Sequence, residues 1–239
     1  MAIVTKDVSY KTNNKIYTGY VADGSNGKQV PGILVCHQGG GLRDHEKERC
    51  RMLADLGYVA FAQDLYGEIA TDRDHAMKLL NGLTANRPVW DSLMLMGLAQ
   101  LRAQPNADAS RLGAIGFCFG GMTVLELVRI TDTVKCVVAF HPGMTHFGDS
   151  DARPVGAKVM VCAGQKDPLI PPEARERFLK LMADANADLQ YINYSGAGHS
   201  FTDKGVDEMG IPGFNYHADT DRRSWAAMRD MFDEVLGKV

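Results

Sequence analysis

The sequence predicts an α/β fold: a mostly parallel central sheet with helices on both faces, preceded by an N-terminal β-hairpin. Three observations carry this. Runs such as "GILVCH" (32–37), "VKCVVAFH" (134–141) and "AKVMVCAG" (157–164) are apolar along their whole length, as strands buried on both faces must be. Between them lie stretches with helical spacing of apolar residues, an alternation that builds a parallel sheet through right-handed crossovers. No repeat, low-complexity tract or Ser/Pro-rich linker divides the 239 residues, so a single domain over 1–239 is expected.

The elements follow in order. "SYKTNNKIYTGYVA" alternates around Asn13-Asn14, a hairpin turn signal. After the strand at 32–37, the stretch from Asp44 to Leu56 has Met52, Leu53 and Leu56 at helical spacing and stops at Gly57. "YVAFAQDL" (58–65) is the next strand. Pro88 to Arg102 is a helix with proline in its first turn. "RLGAIGF" (111–117) is a strand that runs almost without a loop into the helical "FGGMTVLELVRI". Strands at 134–141 and 157–164 follow, then a proline-opened helix (171–185), a last strand "LQYINYSG" (189–196) and a closing amphipathic helix (221–237).

Composition narrows the function classes. At 45% hydrophobic and 23% charged residues, the chain is an ordinary globular one. A net charge of −3 makes no electrostatic case for nucleic acid or an anionic membrane. No basic region followed by an apolar run opens the chain, and no apolar stretch approaches the roughly 20 residues of a membrane span. The five cysteines (Cys36, Cys50, Cys118, Cys136, Cys162) are odd in number and lack metal-type spacing. Free thiols and a cytoplasmic location are expected, with no metal. The oligomeric state is not read from the sequence; a monomer is favoured.

In a doubly covered parallel sheet the active site lies beyond the carboxyl ends of the strands. After 111–117 comes Gly116-Phe117-Cys118-Phe119-Gly120, the spacing of a nucleophile elbow with cysteine in place of serine. Such a turn holds its nucleophile in a strained conformation, needs small residues two before and two after, and aims the Phe119 N–H at a developing oxyanion. The helix N-terminus behind Cys118 favours thiolate. Read alone, the pentapeptide is equally a buried cysteine in a glycine-rich turn. Asp167 follows the strand 157–164, and His199 follows 189–196 in a small-residue loop. Nucleophile, acid, histidine is the chain order of an α/β-hydrolase triad. Singly, Asp167 reads as a turn cap before Pro168 and His199 as a loop histidine; in order and at three strand ends they read as a triad.

An oxyanion hole needs a second N–H besides that of Phe119. "VCHQGGGL" (35–42) follows the first buried strand, and Gln38, Gly39 and Gly40 are its candidate donors. His141 also ends a strand, but with no acid behind it in the expected place it reads as structural. No histidine pair has metal-ligand spacing. The triad and two backbone donors supply the chemistry, so no cofactor is expected. Tyr66, after the strand 58–65, is a candidate for lining the pocket.

These motifs resemble the dienelactone hydrolases, cysteine-nucleophile members of the α/β-hydrolase fold. The similarity runs through "GILVCHQGGGL", "LADLGYVAFAQDLYG", "AIGFCFGG", "VVAFHPG", "GQKDPLIPP", "GAGHSFTD" and "DRRSWAAMRDMFDEVL". It implies hydrolysis of an ester or lactone of a small-molecule substrate, through a thioester on Cys118, with Asp167 and His199 completing the triad. Two departures stand out. Where the family carries a glutamate that helps control the resting cysteine, this chain has Gln38; Gln38→Glu is then expected to raise activity. Where the dienelactone-specific enzyme has an arginine four residues after the catalytic histidine, this chain has Asp203, which would repel a carboxylate. A substrate other than dienelactone is expected, with a thioesterase or broad carboxylesterase as one alternative and a catalytically impaired binding or regulatory module as another. The glycine-rich mouth and the loop from Thr202 to Thr220 are expected to shape specificity.

Overall fold

The computed structural model describes residues 3–12, 14–144 and 153–239. Eight strands form one sheet: β1 (Val4–Thr12), β2 (Lys15–Asp23), β3 (Val30–Cys36), β4 (Val59–Gln63), β5 (Ala107–Phe117), β6 (Cys136–Phe140), β7 (Lys158–Gly164) and β8 (Leu189–Tyr194). Their order across the sheet is β1-β2-β4-β3-β5-β6-β7-β8. The first two pairings, β1 with β2 and β2 with β4, are antiparallel, and every later pairing is parallel. In the hairpin Thr12 faces Lys15, and Asn14 takes φ of 59°, the left-handed value that asparagine tolerates; Asn13 lies outside the described residues.

Among the described residues six helices cover the sheet: α1 (Asp44–Asp55), α2 (Arg73–Thr84), α3 (Arg87–Arg102), α4 (Phe119–Leu127), α5 (Pro172–Asp184) and α6 (Ala218–Leu236). Successive residues of each central strand enter different cores. Ile33, Val35, Ile115 and Phe117 pack with Leu53 of α1 and Phe232 of α6. Leu34, Cys36 and Ala114 pack with Leu93 of α3, Val124 of α4 and Phe178 of α5. Both faces of the central strands are dry, which is why β3, β4, β6 and β7 read as nearly unbroken apolar runs. None of the described helices is long and apolar enough to cross a membrane.

Two elements depart from the sequence expectations. β5 begins at Ala107, four residues before the apolar run, because the polar "ADAS" segment pairs with Val30 and Pro31 across a register shift. α2 is not among the sequence expectations, although Ala76, Leu79, Leu80 and Leu83 have helical spacing; Leu83 is buried, and Leu79 and Leu80 pack partly buried against the same core. Asp72 caps it, accepting the His75 N–H.

Candidate active site

The crossover from β5 to α4 builds the centre. Cys118 stands between them with φ of 53° and ψ of −111°, strain that persists only where the surroundings enforce it. The flanking glycines are obligatory. A Cβ on Gly116 would lie 1.9 Å from the Gly120 carbonyl oxygen, and one on Gly120 would lie 2.1 Å from that of Cys36. His141 and Ser200, at two other corners of the site, also have positive φ.

β7 and β8 end beside the elbow and supply the other two residues. His199 Nδ1 lies 2.8 Å from Asp167 Oδ2, with both side chains fully buried. The other Asp167 oxygen accepts the Leu169 N–H at 2.8 Å, so this residue is turn cap and acid partner together. The loop at 213–215 clamps the histidine backbone: His199 N–H donates to the Gly213 carbonyl, and the His199 carbonyl accepts from Asn215. His199 Nε2 is buried and closes no hydrogen bond of normal geometry, leaving it open toward the half-buried Cys118. Burial opposes charge on His199, but a Cys118 thiolate and the Asp167 carboxylate outweigh it and raise its pKa to about 10.

The loop after β3 faces the same point. Gln38 uses its N–H on Glu46 Oε1, at 3.2 Å. Its carbonyl accepts from His37 Nδ1 at 2.6 Å, while His37 Nε2 accepts the Leu65 N–H at 3.0 Å. A trans peptide points its N–H away from its carbonyl. With the Gln38 carbonyl held by His37, the Gly39 N–H faces the opposite way, and it has no acceptor among the described residues. The Gln38 side chain does not reach for the thiol. Its Nε2 donates to Asp203 Oδ2 at 2.8 Å, and its Oε1 accepts from Ser200 Oγ at 3.1 Å, tying the β3 loop to the His199 loop.

His141, read from sequence as merely structural, takes part in the site. Cys118 N–H is shared between the Phe140 carbonyl (3.0 Å) and His141 Nδ1 (3.1 Å). A backbone N–H only donates, so the His141 proton sits on Nε2, 2.8 Å from Thr202 Oγ1. Thr202 Oγ1 is 3.2 Å from His45 Nε2, and His45 Nδ1 is 3.1 Å from Glu46 Oε1. A buried chain of hydrogen bonds thus links the elbow to Glu46, the residue that holds the Gln38 loop. Burial and the surrounding cationic groups keep His141 neutral, its pKa well below the ordinary imidazole value. Burial opposes ionisation of Glu46, yet the His45 bond and nearby imidazoles hold its pKa below the usual carboxylate value. His141 has the same signal as the triad, a polar residue just past a strand; Glu46 has a capping-box offset from the helix start, accepting the Arg43 N–H.

Tyr66 packs under the elbow. Its ring stacks on Phe119 at 5.6 Å, and Trp90 stacks on Phe119 at 5.7 Å. The Tyr66 hydroxyl is buried without a partner, and burial together with Cys118 drives its pKa up. Arg87 bridges Asp91 and Glu126 and does not line the cavity over Cys118. Cys118, Phe119, Gln38 and Gly39 open on a cavity of about 650 Å³, walled by α2 and by the segment between Asp203 and Phe214. Among the described residues, no group of three or more His, Cys, Asp or Glu is placed to hold a metal ion.

The fold and site can be set beside known proteins. The model of the dienelactone hydrolase family matches residues 17–236. A putative carboxymethylenebutenolidase of Escherichia coli K12 is 31% identical over 224 residues, covering 87% of this chain and 79% of its own. Its Salmonella typhimurium counterpart is 30% identical with the same coverage. Among solved structures, one named m3DLH is 38% identical with a TM-score of 0.94, covering 99% of this chain and all of its own. A dienelactone hydrolase-like promiscuous phosphotriesterase from metagenomic libraries is 36% identical, also with a TM-score of 0.94 and the same coverage. By its sequence, its α/β-hydrolase fold and these relatives, the chain belongs to the dienelactone hydrolase family.

Proposed function

We propose that the protein hydrolyses carboxylic esters or lactones through a Cys118-His199-Asp167 triad and a thioester intermediate. The observation that carries this reading is the open Nε2 of a buried, Asp167-bound His199 beside a strained cysteine elbow. Cys118 Sγ attacks the carbonyl carbon as thiolate, and the carbonyl oxygen gains the negative charge. The N–H groups of Phe119 and Gly39 stabilise that oxyanion. Collapse breaks the bond to the leaving oxygen, which takes its proton from the His199 imidazolium. The acyl group now sits on sulfur. With the thiolate gone, His199 loses its strongest electrostatic support, becomes a base, and takes a proton from water. Hydroxide adds to the thioester carbonyl, and collapse breaks the C–S bond, releasing the acid and the Cys118 thiolate while the proton taken from water stays on His199, which restores the starting pair.

The test is turnover of p-nitrophenyl acetate with a mass spectrum of the quenched enzyme. Wild type should burst and carry an acetyl group on Cys118, and Cys118→Ala should lose at least 100-fold in kcat/KM, on the order of the single-residue losses seen for such groups. Equal rates for the two proteins would remove the nucleophile assignment. No turnover of any ester or lactone by wild type would favour a binding module.

A second reading is hydrolysis of neutral phosphotriesters, favoured by the 36% identical promiscuous phosphotriesterase. A p-nitrophenyl dialkyl phosphate assayed beside the acetate compares the two. The chain acts as one domain on a small molecule, and its five free cysteines suit a reducing compartment such as the cytoplasm.

A further inference from the structure

Resting on the ester-hydrolase reading, we propose that the substrate is an uncharged ester with an extended apolar acyl chain. The cavity over Cys118, at about 650 Å³, falls in the range that encloses a medium-sized organic ligand. Three of the separate segments that wall it each expose a large apolar side chain. Met77 on α2 is 45% exposed, Leu169 after β7 is 37% exposed, and Met209 in the short 3-10 turn Val206–Met209 is 56% exposed. A lone exposed apolar side chain is ordinary; three that meet at one cavity mouth mark a surface meant to be covered. Leu80, Met122 and Phe214 continue the apolar lining inward. The methionines are unbranched and adapt to chains of varied shape. The acyl group is the part of the substrate that stays bonded to Cys118 after the alcohol leaves, so the cavity that Cys118 lines must hold it.

The charges in the wall do not invite an anion. The cavity is lined by two arginines against three carboxylates. Arg43 donates to the Gly40 and Ala70 carbonyls. Glu46 accepts from Gln38, Arg43 and His45. Asp203 accepts from Gln38 and from the Gly205 N–H. Asp72 caps α2. Arg73 is exposed at the rim, at the start of α2, and is the single cation of the lining without a partner among the described residues. A carboxylate on the substrate would lose water to meet more negative than positive charge.

The experiment compares kcat/KM of wild type for p-nitrophenyl acetate, butyrate and octanoate and for mono-p-nitrophenyl succinate, the anionic match of butyrate. A fully buried methylene is worth about fourfold, so octanoate should exceed acetate at least tenfold, and succinate should fall at least tenfold below butyrate. Met77→Glu and Met209→Glu change exposed positions, and each should cut the octanoate-to-acetate ratio at least threefold. A flat or falling chain-length profile in a Cys118-dependent enzyme overturns the chain class alone, as does succinate equal to butyrate, which would mean that Arg73 recruits anions. Activity that survives Cys118→Ala instead overturns the hydrolase reading beneath it.

Discussion

Around Cys118, the strained elbow, the Gly39 N–H and the His199 imidazole come from separate parts of the chain. Gln38 shows how closely two departures from the family pattern depend on each other. From sequence alone, Gln38→Glu should raise activity by restoring a carboxylate. The structure gives that carboxylate a neighbour: Gln38 Nε2 is 2.8 Å from Asp203 Oδ2, so glutamate there would set two anions in contact. Gln38→Glu is therefore expected to destabilise the protein by about 2 kcal/mol at neutral pH, from like charges in a half-buried setting. Adding Asp203→Asn should recover most of the loss. Urea titrations of the two single variants and the double decide it; additive effects would mean the pair does not interact. Glutamine at 38 and an acid at 203 are thus one feature. A second expectation concerns pH. His199 has its pKa raised to about 10, so its imidazolium persists through neutral pH and is lost as pH climbs through that value. Acylation needs that proton for the leaving group, so single-turnover rates should hold across pH 7–9 and fall above about 10. Asp167→Asn removes part of the support and should move this limb downward. A limb that stays put in that variant would deny Asp167 its role.

At the scale of elements, the elbow is a packing solution. α4 lies so close to β5 and β3 that the carbonyls of Gly120 and Cys36 occupy the space where side chains would begin. Gly120→Ala places a methyl carbon 2.1 Å from a backbone oxygen, which only backbone movement can relieve. We expect a loss of about 3 kcal/mol or more in denaturant unfolding, at the upper end for overpacking. A near-neutral result would mean that the helix docks less tightly on the sheet. α2 serves two neighbours: Ala76, Met77 and Leu80 line the cavity, while Leu83 is buried in the core and Leu79 and Leu80 pack partly buried against it. Its apolar residues Ala76, Leu79, Leu80 and Leu83 keep helical spacing, so this helix is legible in the sequence as an amphipathic one.

For the whole molecule, a sheet buried on both faces sorts the five cysteines by environment. Cys36, Cys50, Cys136 and Cys162 are buried, and burial pushes every one of these thiols up, Cys136 and Cys162 to about 12. Cys118 is the one that is partly exposed. Iodoacetamide should therefore add one carbamidomethyl group to the native protein, on Cys118, and five after unfolding. A native protein that takes up several labels at equal rates would show that the core opens on the labelling timescale.

The doubly covered sheet is legible in the sequence, because strands dry on both faces must be apolar throughout, and that constraint is local to each strand. The sequence also pointed to Cys118, Asp167 and His199, which follow the ends of β5, β7 and β8 by one, three and five residues, because the chemistry of such sheets lies just past strand ends. What those residues touch is set by how the elements pack. That Gln38 reaches Ser200 and Asp203, that His141 holds the Cys118 N–H, and that Glu46 organises the opposite loop are contacts across as many as 165 positions of chain. Hydrogen bonds of that reach leave no periodicity behind. They depend on where strands and helices come to rest, which is a property of the packed molecule.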